Sequence, residues 1–384
     1  MRLLYSAVDQ RVPGTTGGSI HVRALAEGLA ALGHEVHVLA TPGPGGFPDG
    51  LVRWHAVAPP FGTPRLRLTA TRRATAIARA LRPDLVVERY HNFGGEGMIA
   101  ARRIGAAAVL EVNAPVIDYP GSTKRLLDRC LLVEPMRRWR DWQCRVADLV
   151  VTPSAAILPD WLARDKVLEV EWGGDTDRFR PGVPPDPEIV RAPGETLAVF
   201  AGAFRSWHGA IHLVEAIAEL RRRGMGSIGA VFAGDGPERP RVEAAAKTVT
   251  GVRLLGAVAH DRMPAVLSAC DIGVAPFDTG QHAPLSLGFY WSPLKVFEYM
   301  AAGLPVAAPA IDRLATIVGH GREGLLYDPG RPGALADALV ELADPDRRRA
   351  LGAAARERAV RNYSWTVHCA ALDGAFRRLC QRAG

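Results

Sequence analysis

Short apolar runs alternate with amphipathic stretches along the whole chain, the pattern of parallel sheets covered by helices. In the first half RLLYSAV (2–8), EVHVLAT (35–41), LVRWHAV (51–57), DLVVERY (84–90), AAVLEVN (107–113) and DLVVTPS (148–154) read as strands. Between the first two, SIHVRALAEGLAALG (19–33) reads as a helix. Ile20, Leu25, Leu29 and Leu32 share one face, and Gly33 follows as the cap. A proline-rich segment, FRPGVPPDPEIVRAPGET (179–196), interrupts the alternation and reads as an interdomain linker. The pattern restarts with TLAVFAGAF (196–204), GAVFAGDGPE (229–238), VRLLGAV (252–258), IGVAPFD (272–278), PVAAPA (305–310) and GLLYDPG (324–330). From Pro332 to Cys380 the chain is mostly helical and arginine-rich, with a break near NYSW (362–365). The prediction is an α/β chain of two doubly wound domains, residues 1–182 and 190–362. Ligands are expected at the carboxyl ends of the strands, in the cleft between the domains.

A length of 384 residues suits two such domains, and 48% hydrophobic with 23% charged residues suits a soluble globular protein. No run of 18 or more uncharged apolar residues predicts a membrane span, and MRLLYSAVDQ lacks the apolar core of a signal peptide. Cys130, Cys144, Cys270, Cys369 and Cys380 show no CxxC spacing, which argues against a disulfide framework and a structural zinc. The expected location is cytoplasmic. The net charge of +7 comes from arginine, concentrated in RLRLTATRRATAIARALR (65–82) and MRRWRDWQCR (136–145). Without an RNA-binding aromatic signature or zinc-finger spacing, a nucleic-acid partner is set aside. Solvated helix faces are the default reading, and peripheral contact at the inner membrane face is the second.

The stretch SPLKVFEYMAAGLPV (292–306) reads as a helix with Ser292 as N-cap, Pro293 in the first turn and Gly303 at the end. Its first turn also carries Lys295, where the helix dipole prefers negative charge. Either Lys295 is solvated, or an anion sits there and both positive ends face it.

Other signals gather at strand ends. Gly17 and Gly18 follow the first strand and open the first helix, which suits either a ligand approach or a tight turn. Arg205, Trp207 and His208 fill the corresponding loop of the second domain, where Arg205 reads as a phosphate grip or a partnerless surface residue. Gly234 and Gly236 form a glycine turn; Asp235 alone makes no metal site, and the DTD at 175–177 reads as a turn. Among His21, His91, His208 and His320, His91 is the most suggestive, because it ends a strand beside the strand that carries Glu111 and Asn113. No Ser-His-Asp, Cys-His or paired-carboxylate pattern points to a hydrolase.

Taken together, GTTGGSIHVRALAEGLAALGHEVHVLA, EWGGDTDRFRP, VFAGDGPE, SACDIGVAPF and SPLKVFEYMAAGLPVAAP resemble the family 4 retaining glycosyltransferases, in the expected order over nearly the whole chain. The resemblance implies the GT-B fold: two Rossmann-like domains facing a central cleft, the C-terminal one for a nucleotide-sugar donor and the N-terminal one for the acceptor. It also implies that the last helix, 366–384, crosses back to the first domain. By position, Glu298 matches the second glutamate of the family's EX7E motif, which holds the donor ribose. Gly17 and Gly18 match the glycine loop near the diphosphate, His91 the histidine that approaches the sugar, and Gly234 and Val258 segments that line the nucleotide. Three positions depart from the family: Tyr290 replaces the first glutamate, and Ala203 and His208 replace the phosphate-binding arginine and lysine. Arg205 and Lys295 are the substitutes at hand.

The resulting expectation is hexosyl transfer from a UDP-sugar, or next a GDP-sugar, with no metal and no other cofactor. The acceptor is a hydroxyl of an envelope glycan, a glycolipid or a specialised metabolite. The catalytic set is His91, Arg205 and Lys295. The donor set adds Gly17, Gly18, His208, Gly234, Val258, Ser292 and Glu298, with Glu111 and Asn113 on the acceptor side. Small-molecule S- or O-glycosylation, sugar-nucleotide epimerisation and non-catalytic nucleotide-sugar binding are the alternatives.

Overall fold

The computed structural model describes residues 1–131 and 133–383. They divide into two units, one formed by Met1–Trp172, Tyr290–Ser292 and the chain from Trp365 onward, the other by Gly173–Phe289 and Pro293–Ser364.

The first unit opens with β1 (Arg2–Val12), α1 (Gly17–Ala31), β2 (Glu35–Pro42), β3 (Arg53–Ala56) and α2 (Thr71–Leu81). There follow β4 (Leu85–Arg89), α3 (Glu96–Ile104), β5 (Ala107–Glu111), α4 (Thr123–Leu131), α5 (Pro135–Val146), β6 (Leu149–Thr152) and β7 (Val167–Glu169). All strands are parallel, in the order β3-β2-β1-β4-β5-β6-β7. Helices cover both faces of such a sheet, so its central strands are continuous apolar runs, which is why they stood out in the sequence. The three-residue β7 is too short for any pattern and was not predicted. Helix α1 begins at Gly17, earlier than the apolar face suggested, because Thr16 Oγ1 accepts the Ser19 amide at 3.2 Å. It ends as predicted at Gly33: the Gly33 amide donates to Ala30 and the His34 amide to Leu29, a Schellman closure.

The second unit contains β8 (Thr196–Ala201), α6 (Ala210–Arg222), β9 (Ile228–Ala233), α7 (Arg239–Ala246), β10 (Val252–Gly256), α8 (Met263–Ser268) and β11 (Ile272–Val274). After these come α9 (Leu294–Ala301), β12 (Val306–Pro309), α10 (Leu314–Ile317), β13 (Gly324–Tyr327), α11 (Ala334–Leu342) and α12 (Pro345–Asn362). Its sheet is again all parallel, in the order β10-β9-β8-β11-β12-β13. The strand order reverses direction between β8 and β11, the point where doubly wound sheets open a crevice for ligands.

The last helix, α13 (Trp365–Ala383), belongs to the first unit and sets Cys369, Leu372 and Phe376 into the core that contains Val22, Leu25 and Leu29 of α1. Gly384, the end of the expected helix, lies outside the described residues.

Two sequence readings are corrected. The proline-rich segment is not a free linker, since it packs within the second unit. Phe179 is fully buried, and the Asp186 carboxylate accepts two hydrogen bonds from Arg262, at 2.5 and 3.0 Å. Ser292 is not the N-cap of α9: its Oγ accepts the Trp172 amide at 2.9 Å and donates to Glu171 at 2.7 Å. Pro293 takes the cap position without a side-chain bond, so no side chain closes the N-terminus of α9.

Candidate functional site

In the second unit the site grows from the end of β8 and the start of α9. The Lys295 side chain turns inward, and its Nζ lies 4.0 Å from the centroid of the Phe200 ring and 5.3 Å from that of Phe277. It is buried, and among the described residues it has no hydrogen-bond partner. Burial lowers its pKa to about 7, with the nearby Glu298 pulling weakly the other way. A buried polar group without a partner is costly, so its persistence asks for an explanation.

The backbone around this amine is shaped for close approach. Gly202 has φ +125°, and a Cβ there would lie 3.3 Å from the Lys295 Nζ. A Cβ on Gly234 would fall 1.9 Å from the Gly202 carbonyl oxygen, so any side chain at 234 would displace that turn. The Gly234 amide donates to Gly256 at 2.7 Å, which ties the turn to the end of β10, two residues before the half-buried Val258.

His208 stands beside Lys295. Its Nδ1 donates to the Ala203 carbonyl at 2.7 Å. Burial, reinforced by Lys295 whenever that amine is protonated, pushes its pKa down to about 3. The ring is therefore neutral, with Nε2 as an acceptor. Arg205, in the same loop, is exposed, with its guanidinium 5.3 Å from the Trp207 ring; Trp207 itself stacks on His282 at 4.0 Å. Further along α9, Glu298 lies 3.2 Å from His260 Nε2. Sequence reasoning missed His260, whose only signal was its place two residues beyond Val258.

The first unit holds the remaining candidates. Gly18 lies at the N-terminus of α1, where a Cβ would sit 2.3 Å from Gln10 Oε1 and 3.3 Å from Arg89 Nη2. His91 follows β4; its Nδ1 accepts the Phe93 amide at 3.2 Å, so the neutral ring carries its proton on Nε2. Burial and the charge on Arg67 keep it neutral by lowering its pKa. Glu111 and Asn113 come together: Asn113 Nδ2 donates to Glu111 at 2.7 Å, and Trp172 donates to Asn113 at 3.0 Å. Glu111 also holds Tyr5 and lies 3.1 Å from His21, so both residues are engaged in a buried network. Ser292, through Glu171 and Trp172, belongs to this unit and not with Lys295.

The arginine-rich segments are not uniformly solvated faces. Arg67 is fully buried; it donates to Asp9 (2.5 Å), to Glu88 (2.8 Å) and twice to Glu96 (2.6 and 3.1 Å). Glu88 further accepts the Gly95 and Gly97 amides, at 3.0 and 2.5 Å. Burial and the adjacent Glu96 raise the Glu88 pKa well above the carboxylate range. Arg140 is also buried, bonded to the Val116 carbonyl and to Asp118 at 2.9 Å. Glu88, an acid that follows the apolar Leu85–Val87 inside the predicted strand DLVVERY, was the available signal for the first cluster.

With this geometry established, the comparisons with known proteins are specific. Residues 15–170 match Glycosyltransferase Family 4, and residues 195–344 match Glycosyl transferases group 1. A GDP-mannose-dependent alpha-mannosyltransferase of Mycobacterium tuberculosis is 27% identical over 391 residues, 95% of this chain and 93% of that protein. A D-inositol 3-phosphate glycosyltransferase of Thermobispora bispora is also 27% identical, over 98% of this chain and 93% of its own length. Among solved structures, sucrose-phosphate synthase from Thermosynechococcus elongatus aligns over 99% of both chains, with a TM-score of 0.75 and 20% identity. Anabaena HepE in complex with UDP and glucose aligns over 98% of this chain and all of that one, with a TM-score of 0.71 and 16% identity. Two doubly wound parallel sheets in series, the ordered motifs and both family matches agree: this chain belongs to the family 4 glycosyltransferases and has the GT-B fold.

Proposed function

We propose that this protein is a retaining glycosyltransferase that moves a hexosyl group from a UDP- or GDP-sugar to a hydroxyl of a glycan, glycolipid or small metabolite. The observation that carries the reading is Lys295: a buried amine without a hydrogen-bond partner among the described residues, in the first turn of a helix whose N-terminus none of their side chains caps. Amine and helix dipole both favour an anion, and a diphosphate satisfies both.

In the transfer, the bond between the anomeric carbon and the diphosphate breaks as the acceptor oxygen bonds to the same face of the sugar. The acceptor's proton goes to the departing phosphate oxygen, so no protein nucleophile takes part. Charge builds on the leaving diphosphate, and Lys295, the α9 N-terminus and, from solvent, Arg205 are the groups that stabilise it. Glu298, oriented by His260, accepts from the ribose hydroxyls, and the His91 Nε2–H is the donor to the sugar. These cations supply the positive charge, so the proposal includes no metal.

The relatives name both nucleobases: the mycobacterial one is described as GDP-mannose-dependent, and HepE is described with UDP. A lipid-linked acceptor is favoured by α4, whose exposed Leu126 and Leu127 stand among the exposed Arg125 and Arg129. Thermal stabilisation by UDP, GDP, ADP and dTDP tests the donor reading. A ligand at a hundred times its Kd adds about 2.7 kcal/mol; no shift with any nucleotide refutes the donor site. Tyr290 in place of the expected glutamate favours a second reading, a nucleotide-sugar binder without turnover. Stabilisation without transfer or donor hydrolysis selects it, and the anomeric configuration of any product checks retention.

A further inference from the structure

We infer that the donor site of this protein charges itself as it fills: Lys295 is a neutral amine in the empty site and takes up one proton from solvent when a nucleoside diphosphate sugar binds. The inference rests on the donor-site reading above and adds to it a proton as a second ligand.

The geometry is that of an amine held away from water and, among the described residues, from any hydrogen-bonding oxygen. Phe200 comes from β8, Phe277 from the segment after β11, and the Gly202 backbone closes the third side. The ring faces favour a cation, but only modestly, about 0.5–2 kcal/mol. They do not replace the hydration that an ammonium loses on burial.

On α9 the nearest acid is Glu298, half-buried, whose carboxylate faces His260. From the loop after β8 come His208, held neutral, and Arg205, exposed and of the same sign as the ammonium. Tyr299, also on α9, is occupied as a donor and acceptor with β8 and β11 backbone. Among the described residues no carboxylate hydrogen-bonds to Lys295, and burial, opposed by Glu298 at longer range, leaves its pKa at about 7.

A diphosphate reverses the balance. Two negative charges arriving at hydrogen-bond distance stabilise the ammonium and raise its pKa, as an opposite charge does for any base. The step is a simple protonation: the nitrogen lone pair forms one N–H bond, the proton comes from solvent or buffer, and no bond of the ligand changes. A sugar nucleotide has no group of its own that titrates near neutrality at the diester diphosphate, so the proton counted belongs to the protein.

Calorimetric titration of the whole protein with UDP-glucose and with GDP-mannose, repeated in buffers of different ionisation enthalpy, counts that proton. From a free-site pKa of about 7, the expected uptake is about 0.9 proton per ligand at pH 8 and about 0.1 at pH 6. Lys295→Arg keeps a permanent charge and binds with no uptake at either pH; Lys295→Met, the smaller change for folding, also takes up none. Binding by the wild type without uptake at pH 8 overturns the inference and leaves the donor site standing. Uptake that persists in Lys295→Arg also overturns it and moves the proton to His208. If neither sugar nucleotide binds at pH 6 or pH 8, the donor-site reading falls and the inference falls with it.

Discussion

Each unit of this protein buries a basic side chain, and the two are treated in opposite ways. Arg67, in the first unit, is saturated by Asp9, Glu88 and Glu96, whose attraction outweighs the cost of its burial and raises its pKa. Lys295, in the second, has two aromatic rings and no hydrogen-bond partner among the described residues. A saturated buried ion pair organises a fold, whereas an unsatisfied buried amine is completed by something the chain does not supply. The contrast separates a structural charge from a functional one without reference to either residue's position in a motif.

The strongest test of the contrast is removal of each cation in turn. Arg67→Met leaves two buried carboxyl groups, Glu88 and Glu96, and the half-buried Asp9 without their partner, and a broken buried pair costs about 3–5 kcal/mol. Seven of the eight tryptophans (54, 139, 142, 161, 172, 291 and 365) lie in the first unit, so urea unfolding followed by their fluorescence reports this loss. Lys295→Met should leave stability unchanged or improved, because it removes an uncompensated polar group. Equal losses in the two variants would break the comparison.

Activity should invert that order. Removing one preorganised group that faces developing charge costs about 10² to 10³ in kcat, so Lys295→Met should lose turnover in that range with an intact fold. Wild-type turnover in this variant would assign the amine to packing alone.

The pH dependence of the unligated protein sharpens the contrast further. A lysine is protonated in the unfolded chain up to its ordinary pKa of 10.5, whereas in the folded chain Lys295 loses its proton near 7. Above pH 7 the unfolded state therefore binds more protons, and stability rises with pH. Between pH 7 and pH 9 the gain is about 2 kcal/mol, measured as the difference between wild type and Lys295→Met in thermal unfolding. Arg67 contributes nothing over this window, since its pKa moves upward and it stays charged. A difference that falls as pH rises would contradict the neutral amine.

Much of the fold could be read because its determinants are local. Strands buried on both faces leave unbroken apolar runs, and the Schellman closure at Gly33 is written in one residue. The α9 helix was visible for the same reason, and Lys295 stood out because a cation sat in its first turn. What could not be read depends on partners far apart in sequence. Ser292 looked like a cap, but Glu171 and Trp172, about 120 residues earlier, claim its hydroxyl. Arg67 looked solvated because its three carboxylates come from residues 9, 88 and 96, and no spacing links them. Composition marked residues 179–196 as a linker, yet Asp186 and Arg262 pin that segment to the second unit. The direction of the Lys295 side chain was equally invisible, because inward and outward lysines leave the same letter.

The smallest expected effect concerns Arg205, which sequence reasoning ranked with Lys295. The structure separates them by exposure: Arg205 lies in water against Trp207, so solvent and salt screen its attraction for a diphosphate. Exposed pairs contribute about 0.2–1 kcal/mol, so Arg205→Ala should raise the donor KM by about 1.4- to five-fold and leave kcat nearly unchanged. That increase should shrink as salt is raised from 50 to 500 mM, where the screening length falls below about 5 Å, while the Lys295→Met defect should persist because its site excludes the ions. If both variants lost activity equally and with the same salt dependence, burial would not be what distinguishes the two cations, and Arg205 would have to leave solvent to grip the donor when it binds.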